Sequence, residues 1–494
     1  MGSSKLNGQP SFDEIEKFTF HEEQKILNKI GFSHSEFHKI EHHHCHAASA
    51  YYTSGYDDAL IITMDGAGDG LCATANIIEN GKIKRISEAS SDISPGTFYA
   101  EITRYLGYKR NRHEGKITGL AAYGNPNKYY SSLKEYLHFN IEDERFSAVL
   151  NQQPAILRKL NTVRRILRKE NTGNVYIDLF FEYLKKNYNK QNDAKDLAAT
   201  AQQLLEDIVV EYVNHFRKEN PRKNIALAGG VFANVKVNQK ISEIEGVKSI
   251  YIHPNMGDGG CATGAAFSYL HEIKGIKYSY YKPSDVYYGE EFSDQEIEKV
   301  LRQHNVNYQK IENIEIKIAE LLHEGKVVGR FNGRMEYGPR ALGNRSILVR
   351  PTDRSVNDWL NKKLCRTEFM PFAPAVLAEE ASSLFVNYEN QISDHTARFM
   401  TITYDVQQGW HDKLQAAIHI DNTARPQIVY ENQNPSLYRV IKEYFNLSRI
   451  PAVINTSFNM HEEPIVRTPD DAVRAFKQGC LNYLAIGNYL CQYQ

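Results

Sequence analysis

The sequence lacks most of the features that mark specialised classes of protein. Its six cysteines form no CxxC pair, which argues against a disulfide scaffold and fits a reducing compartment. No apolar run is long enough to span a bilayer, and no signal-peptide pattern is present. Lysine and arginine number 59 against 60 acidic residues, so no electrostatic case for nucleic-acid binding follows. We therefore expect a cytoplasmic protein, and 494 residues suffice for two or three domains.

The stretch 41–70 combines two histidines with an acid. His42 and His46 are four residues apart, so on a helix they lie on one face. The apolar run 59–64 predicts a strand that ends at Asp65, and α/β sheets bind their ligands at such strand ends. Two imidazoles with carboxylates suit a divalent first-row metal, iron, zinc or manganese, better than calcium. The alternative is a solvated, histidine-rich helix face.

Glycines at two points of the chain predict contacts with phosphate. Gly66 and Gly68 follow the first predicted strand, where glycine lets backbone N–H groups approach a phosphate closely. A second predicted strand over 225–228 is followed by Gly229 and Gly230, which open a helix. A strand, two glycines and a helix N-terminus together predict a nucleotide-phosphate site.

The segment 333–346, GRMEYGPRALGNRS, predicts a rigid loop that carries three arginines, Arg334, Arg340 and Arg345. Arginine forks bind phosphate and carboxylate oxygens bidentately, so three in one loop indicate a polyanionic substrate. The alternative is a set of arginines in surface ion pairs. Lys116 lies between glycines and is either a phosphate-binding residue or a solvated turn residue.

Taken together, the motifs resemble those of the NodU/CmcH family, the O-carbamoyltransferases of nodulation-factor and antibiotic tailoring. The counterparts, in order, are EHHHCHAASAYY with MDGAGDG, EGKITGLAAYG, AGGVFAN, GDGGCATGAAF and GRMEYGPRALGNRS. The resemblance covers about residues 37–494. It implies a mixed α/β chain of two domains. An actin/Hsp70-like (Kae-type) carbamoyl-transfer domain that binds metal and nucleotide would occupy 1–283, and a YrdC-like carbamoyl-adenylate-forming domain 284–494.

The resemblance also implies roles for individual residues. The metal ligands would be His42, His46, Asp65 and Asp258, with Fe²⁺ expected and Zn²⁺ or Mn²⁺ as alternatives. The catalytic residues would be Arg340, Arg345 and Lys116. The nucleotide and phosphate contacts would come from Asp65, Gly66, Gly68, Gly229, Gly230, Asn234, Arg366, Arg425, Asn455 and Ser457.

The implied activity is ATP-dependent O-carbamoylation. Carbamoyl phosphate and ATP (with Mg²⁺) would give carbamoyl-adenylate and pyrophosphate, and the carbamoyl group would pass to a hydroxyl of a small-molecule or sugar-containing acceptor. One alternative is a tRNA modification of the threonylcarbamoyl type. Another is a partner-dependent or non-catalytic nucleotide-binding homologue, because nothing in 1–40 matches the family's N-terminal GxNxxHDSSA motif. A second polypeptide that supplies this motif, or a homodimer, would be the expected partner.

Overall fold

The computed structural model describes residues 22–148, 175–355, 371–388, 394–460, 463–478 and 481–493. The chain forms two compact units, 1–41 and 42–494. In the first, 22–27 are helical and continue into a π-helical turn, Asn28–Phe32. No helix of the described ranges is both long and apolar enough to cross a membrane.

The helices of the second unit are numbered here in chain order over the described residues. They are α1 (His42–Tyr52), α2 (Pro95–Tyr105), α3 (Glu114–Ala121), α4 (Tyr130–Lys134), α5 (Val175–Asn187), α6 (Ala194–Glu219), α7 (Val235–Ser242), α8 (Cys261–Ser268), α9 (Asp294–Gln303), α10 (Ile314–His323), α11 (Ala381–Leu384), α12 (Asp394–Ala397), α13 (Pro435–Ser448) and α14 (Pro469–Lys477).

The strands are numbered in the same way. They are β1 (Leu60–Gly68), β2 (Leu71–Glu79), β3 (Lys82–Ser90), β4 (His138–Asn140), β5 (Arg145–Ser147), β6 (Asn224–Ala228), β7 (Ser249–Ile252), β8 (Tyr308–Lys310), β9 (Val328–Phe331), β10 (Arg345–Val349), β11 (Ala373–Leu377), β12 (Tyr404–Asp405), β13 (Thr423–Ala424), β14 (Gln427–Val429), β15 (Ala452–Ser457), β16 (Tyr483–Ile486) and β17 (Tyr489–Gln492). They form two large sheets and two small ones, β4-β5 and β12-β13.

The first large sheet has the strand order β3-β2-β1-β6-β7. Of these strands, β2 alone runs against the others, because β1 pairs with it antiparallel and with β6 in parallel. Successive side chains of β1 point to opposite faces: Leu60 and Ile62 pack with α2 and α6, and Ile61 packs with α1. Both faces of the first half of β1 are buried under helices, which explains why its residues there are mostly apolar.

The second large sheet has the order β14-β11-β15-β10-β9-β16-β17-β8. Helices cover both of its faces as well. Val328 and Leu348 pack with α10 and α13, and Phe331 and Ile347 pack with α9 and α14. The prediction of a mixed α/β fold is therefore confirmed, whereas the domain boundary at 283/284 stays a prediction.

The segment after Asp65 forms the end of the β1–β2 hairpin. β1 continues through Gly68 and pairs with β2, and the chain turns only at Asp69 and Gly70, which both have positive φ. The register slips between Met64 and Gly68. Gly68 pairs with Leu71 of β2, so the segment belongs to an irregular hairpin, and the phosphate contacts of Gly66 and Gly68 stay a prediction.

Candidate metal centre and anion cleft

Helix α1 begins at the tip of the β1–β2 hairpin. The backbone N–H of His42 donates to Oδ2 of Asp69 at 2.9 Å, which satisfies one N–H of the first turn. Gly68 lies directly under the imidazole, because a Cβ at this position would be 2.0 Å from Cδ2 of His42. This glycine thus makes room for the His42 ring.

The structure brings the four predicted metal ligands together. Nε2 of His42 lies 3.1 Å from Nε2 of His46, and both nitrogens face Oδ2 of Asp65, at 3.5 and 3.2 Å. Oδ1 of Asp258 is 3.6 and 3.7 Å from the same two nitrogens. Atoms that bind one ion at about 2.0–2.2 Å lie roughly 3–4 Å apart, so this spacing fits a single divalent cation.

The charges of the cluster also fit a cation. Two facing imidazole nitrogens repel each other unless a proton or a metal ion lies between them. Burial opposes charging of His46, but the nearby Asp258 and Asp65 carboxylates outweigh it and raise the pKa of the ring well above its usual range. Burial likewise acts against the Asp65 carboxylate, yet contacts with His42 and His46 hold its pKa far below normal. The set therefore attracts positive charge.

Cys261 was missed by sequence reasoning. Its Sγ lies 3.7 Å from both ring nitrogens of His46, at the start of α8. The sequence gives little signal for it, since no CxxC spacing is present. The one clue is its position three residues after Asp258.

Gly66, Gly229 and Gly230 surround Asp65. The N–H of Gly66 donates to Oδ1 of Asp65 at 2.6 Å. Gly229 has a φ of 112°, and a Cβ there would lie 2.2 Å from the Met64 carbonyl oxygen. A Cβ at Gly230 would lie 2.9 Å from Oδ1 of Asp65. These glycines bring the turn after β6 against the end of β1, and their predicted phosphate contacts stay a prediction.

Asn234 has a capping role in the structure. Its Oδ1 accepts from the N–H groups of Lys236 and Val237 at the start of α7, and its amide exchanges hydrogen bonds with Gln202 at 2.9 and 3.1 Å. A nucleotide contact of Asn234 stays a prediction. Arg366 lies outside the described residues.

A cleft of about 580 Å³ gathers five of the predicted residues from distant parts of the chain. Lys116 comes from α3, Arg340 from the loop after β9, Arg425 from the turn after β13, and Asn455 and Ser457 from β15. Arg112 and Glu463 also line it. Among the described residues that line the cleft, four cations stand against one carboxylate, which suits a polyanion.

Arg345 is placed elsewhere. It is completely buried at the start of β10, and it is not among the residues that line the cleft. Its guanidinium lies 3.7 Å from the centre of the Phe331 ring and donates to the carbonyl oxygens of Asn332, Gly333 and Glu290. Burial lowers its pKa to about 10. Arg345 thus fastens the arginine loop from beneath, and its catalytic role stays a prediction.

Glu336 organises the same loop from within, a role that sequence reasoning missed. Its Oε1 accepts from the backbone N–H groups of Leu342, Asn344 and Arg345 at 2.7–3.1 Å. Because one carboxylate oxygen gathers three N–H groups, the loop is closed around an internal anion. Arg340 remains on the cleft side of this loop.

A cluster fit for a divalent cation and a cationic cleft in one α/β chain are typical of enzymes that act on phosphorylated substrates. Residues 17–267 match the family described as carbamoyltransferase N-terminus, and 319–493 match carbamoyltransferase C-terminus. The chain therefore belongs to the carbamoyltransferase family and is a carbamoyltransferase enzyme. The resemblance seen in the motifs is confirmed.

Two curated relatives illustrate the similarity. An uncharacterized protein of Methanocaldococcus jannaschii, MJ1058, is 36% identical over 96% of this chain and 79% of its own length. The nodulation protein NolO of Bradyrhizobium diazoefficiens is 31% identical over 91% of this chain and 78% of its own. Among solved structures, HypF of T. kodakarensis matches 55% of this chain and 40% of its own, with 18% identity and a TM-score of 0.28.

Proposed function

We propose that the chain is an ATP-dependent O-carbamoyltransferase. Carbamoyl phosphate and ATP would give carbamoyl-adenylate, and the carbamoyl group would pass to a hydroxyl of a small-molecule or sugar-containing acceptor. Carbamoyl-adenylate lacks the phosphate of carbamoyl phosphate, so the balance consumes one water and releases orthophosphate as well as pyrophosphate. The matches to the N-terminal and C-terminal carbamoyltransferase families support the transfer step.

The observation that carries the proposal is the cationic cleft. Its arginines and Lys116 come from both halves of the chain, and they would bind the phosphates of ATP and of carbamoyl phosphate side by side. Charge that develops on the leaving pyrophosphate would be neutralised by Arg340 and Arg425. The Asn455 amide donates hydrogen bonds to the Ala341 carbonyl and to Gln427, and from this fixed strand Ser457 would contact the nucleotide.

His42, His46, Asp65 and Asp258 would hold the metal ion, Fe²⁺ first and Zn²⁺ or Mn²⁺ as alternatives. When bound, the ion supplies a Lewis acid for a phosphate oxygen. The chain's own residues fix the position of this site relative to the cleft. The arginine loop reaches the metal-ligand segment through Tyr337, whose hydroxyl is 2.9 Å from Oγ1 of Thr263 in α8. We propose that the labile intermediate passes from the cleft to the metal site within the same chain.

The proposal includes the finer fold assignment, an actin/Hsp70-like domain over 1–283 and a YrdC-like domain over 284–494. The first sheet supports it, because β2 alone runs antiparallel in the order β3-β2-β1-β6-β7, as in the core sheet of actin-like folds.

The test is release of pyrophosphate from ATP by the purified full chain, with and without carbamoyl phosphate. Release that requires carbamoyl phosphate is expected. Arg340→Ala should lower its rate by about a hundredfold or more, since a cation that faces developing charge is lost. Arg334→Ala is the matched control: this arginine lies in the same loop, its side chain is 63% exposed, and it should keep its rate. No carbamoyl-phosphate-dependent release by the native chain would refute the proposal.

A further inference from the structure

Cys261 lies beside the predicted ligands, with Sγ 3.7 Å from the ring nitrogens of His46. One ligand atom from each of His42, His46, Asp258 and Cys261 lies within 4.8 Å of all the others. We propose that Cys261 binds the metal ion as a thiolate ligand, in addition to the imidazoles and carboxylates. The inference rests on the metal site of the proposed function.

The position of Cys261 is fixed by the backbone. It is the first residue of α8 and directly follows the 3-10 turn Asp258–Gly260, so two donors come from adjacent turns. Further along α8, a Cβ at Gly264 would lie 1.8 Å from the carbonyl oxygen of Cys45 in α1. The two helices therefore touch backbone to backbone, and this contact holds Sγ next to His46.

The distances fit a shared ion. Zinc lies about 2.3 Å from thiolate sulfur and about 2.0 Å from imidazole nitrogen, which puts sulfur and nitrogen roughly 3.6 Å apart in a tetrahedral site. The observed 3.7 Å between Sγ and Nε2 of His46 agrees with this spacing.

Cys261 also differs from the other described cysteines in the exposure of its side chain. Of the four cysteines in the described ranges, Cys45, Cys72 and Cys491 are buried, and Cys261 is only partly so. A small apolar filler would be expected inside the core. A thiol that opens toward a cluster of imidazoles and carboxylates is placed for coordination.

Ligation changes the chemistry of the site. On metal binding the thiol S–H bond breaks, its proton passes to solvent, and the sulfur electron pair bonds to the ion. A thiolate is softer than an imidazole or a carboxylate, so it favours Zn²⁺ or Fe²⁺ over Mn²⁺ and Mg²⁺. The metal site of this chain should accordingly prefer the softer ions, Zn²⁺ or Fe²⁺.

Zinc X-ray absorption of the full chain tests the inference, with zinc alone as the probe. The His215→Ala background is used throughout, because Glu144, His215 and Glu219 form a second group that could take an ion. The native site should show one sulfur shell at about 2.3 Å beside nitrogen and oxygen at about 2.0 Å. Cys261→Ser should keep only the light-atom shell and bind zinc about tenfold more weakly or worse.

Cys72→Ser is the matched control. This buried thiol donates to the Ser90 carbonyl in the same domain, and a serine hydroxyl can do the same, so the sulfur shell should remain. If the protein that retains Cys261 binds zinc without a sulfur shell, the thiolate inference is overturned but the metal site is not. No bound zinc would overturn both. The spectrum of the protein that retains Cys261 distinguishes these outcomes by itself, even if the serine variant folds poorly.

Discussion

The phenolic oxygen of Tyr337 lies 2.9 Å from Oγ1 of Thr263 and 3.2 Å from Nε2 of His253. Tyr337 belongs to the loop that carries Arg340, whereas Thr263 belongs to the helix that begins with Cys261. One hydroxyl therefore connects the loop that carries Arg340 with the helix that begins at Cys261.

Tyr337→Phe should destabilise the chain. The change removes the hydroxyl and leaves Nε2 of the buried His253 without its partner. The free energy of unfolding in urea should fall by about 1–3 kcal/mol. Tyr288→Phe serves as the control, because its ring is 55% exposed, and a change below about 0.5 kcal/mol is expected. Equal losses in the two variants would contradict the structural role of Tyr337.

Gly68→Ala should weaken metal binding without unfolding the sheet. Its Cβ would lie 2.0 Å from the His42 ring, so the imidazole must move away from the other ligands. The metal content after equilibration with limiting Zn²⁺, measured by plasma mass spectrometry, should fall by about tenfold or more. Gly257→Ala lies beside Asp258 with no atom within 4 Å of its Cβ, and it should keep its metal. Full metal content in Gly68→Ala would show that the His42 position does not limit binding.

Arg345→Lys should be far from conservative. A lysine cannot reproduce the planar fork that serves the Asn332, Gly333 and Glu290 carbonyl groups at once. We expect a loss of about 2–4 kcal/mol of unfolding free energy, because buried acceptors lose their donors. The exposed Arg334→Lys change should cost less than about 0.5 kcal/mol. Unaltered stability combined with lost pyrophosphate release would instead point to a direct catalytic role for Arg345.

Acid should destabilise the protein through His395. Its Nε2–H donates to the Pro283 carbonyl at 2.7 Å, while Nδ1 is buried without a partner. Burial, and then repulsion from Lys282, lower the pKa of this imidazole to about 3. Between pH 6.5 and 3 the unfolded chain binds a proton that the native chain does not, so stability is full above pH 6.5 and falls on acidification.

The size of this effect can be measured with urea unfolding at two pH values. From pH 7 to pH 5, His395 alone should cost about 2 kcal/mol of unfolding free energy. His395→Gln keeps an N–H donor but cannot take up a proton, so its stability should fall less over the same interval. Identical pH dependence in the native chain and the variant would exclude His395 as a source.

Local sequence rules predicted much of the fold. The apolar run 59–64 indicated a strand, and β1 covers Leu60–Gly68. The spacing of His42 and His46 indicated a shared helix face, and their nitrogens are 3.1 Å apart. These features depend on neighbours in sequence, and periodicity captures them.

Features that depend on packing could not be predicted in this way. Arg345 has the same sequence context as Arg340, yet it starts a strand whose first side chain points under the loop. Cys261 meets His46 only because α1 and α8 approach closely at Gly264. The sequence indicated a phosphate contact for Gly68 but not the room that this glycine leaves for the His42 imidazole. Each case needs the tertiary contact before the residue can be interpreted.

Because α1 and α8 approach closely, the distance between these two helices sets the spacing of the donor atoms in the metal cluster, as the backbone of a chelating ligand does. His42 and His46 lie on α1, whereas Cys261 lies at the start of α8 and Asp258 in the turn just before it. Gly264 determines how closely the two helices can approach. A larger residue at 264 would move the two helices apart and widen the spacing of the donor atoms. The cluster would then prefer a larger ion, although every donor atom stayed the same. The ion that this chain accepts would then be selected by a residue that never touches it.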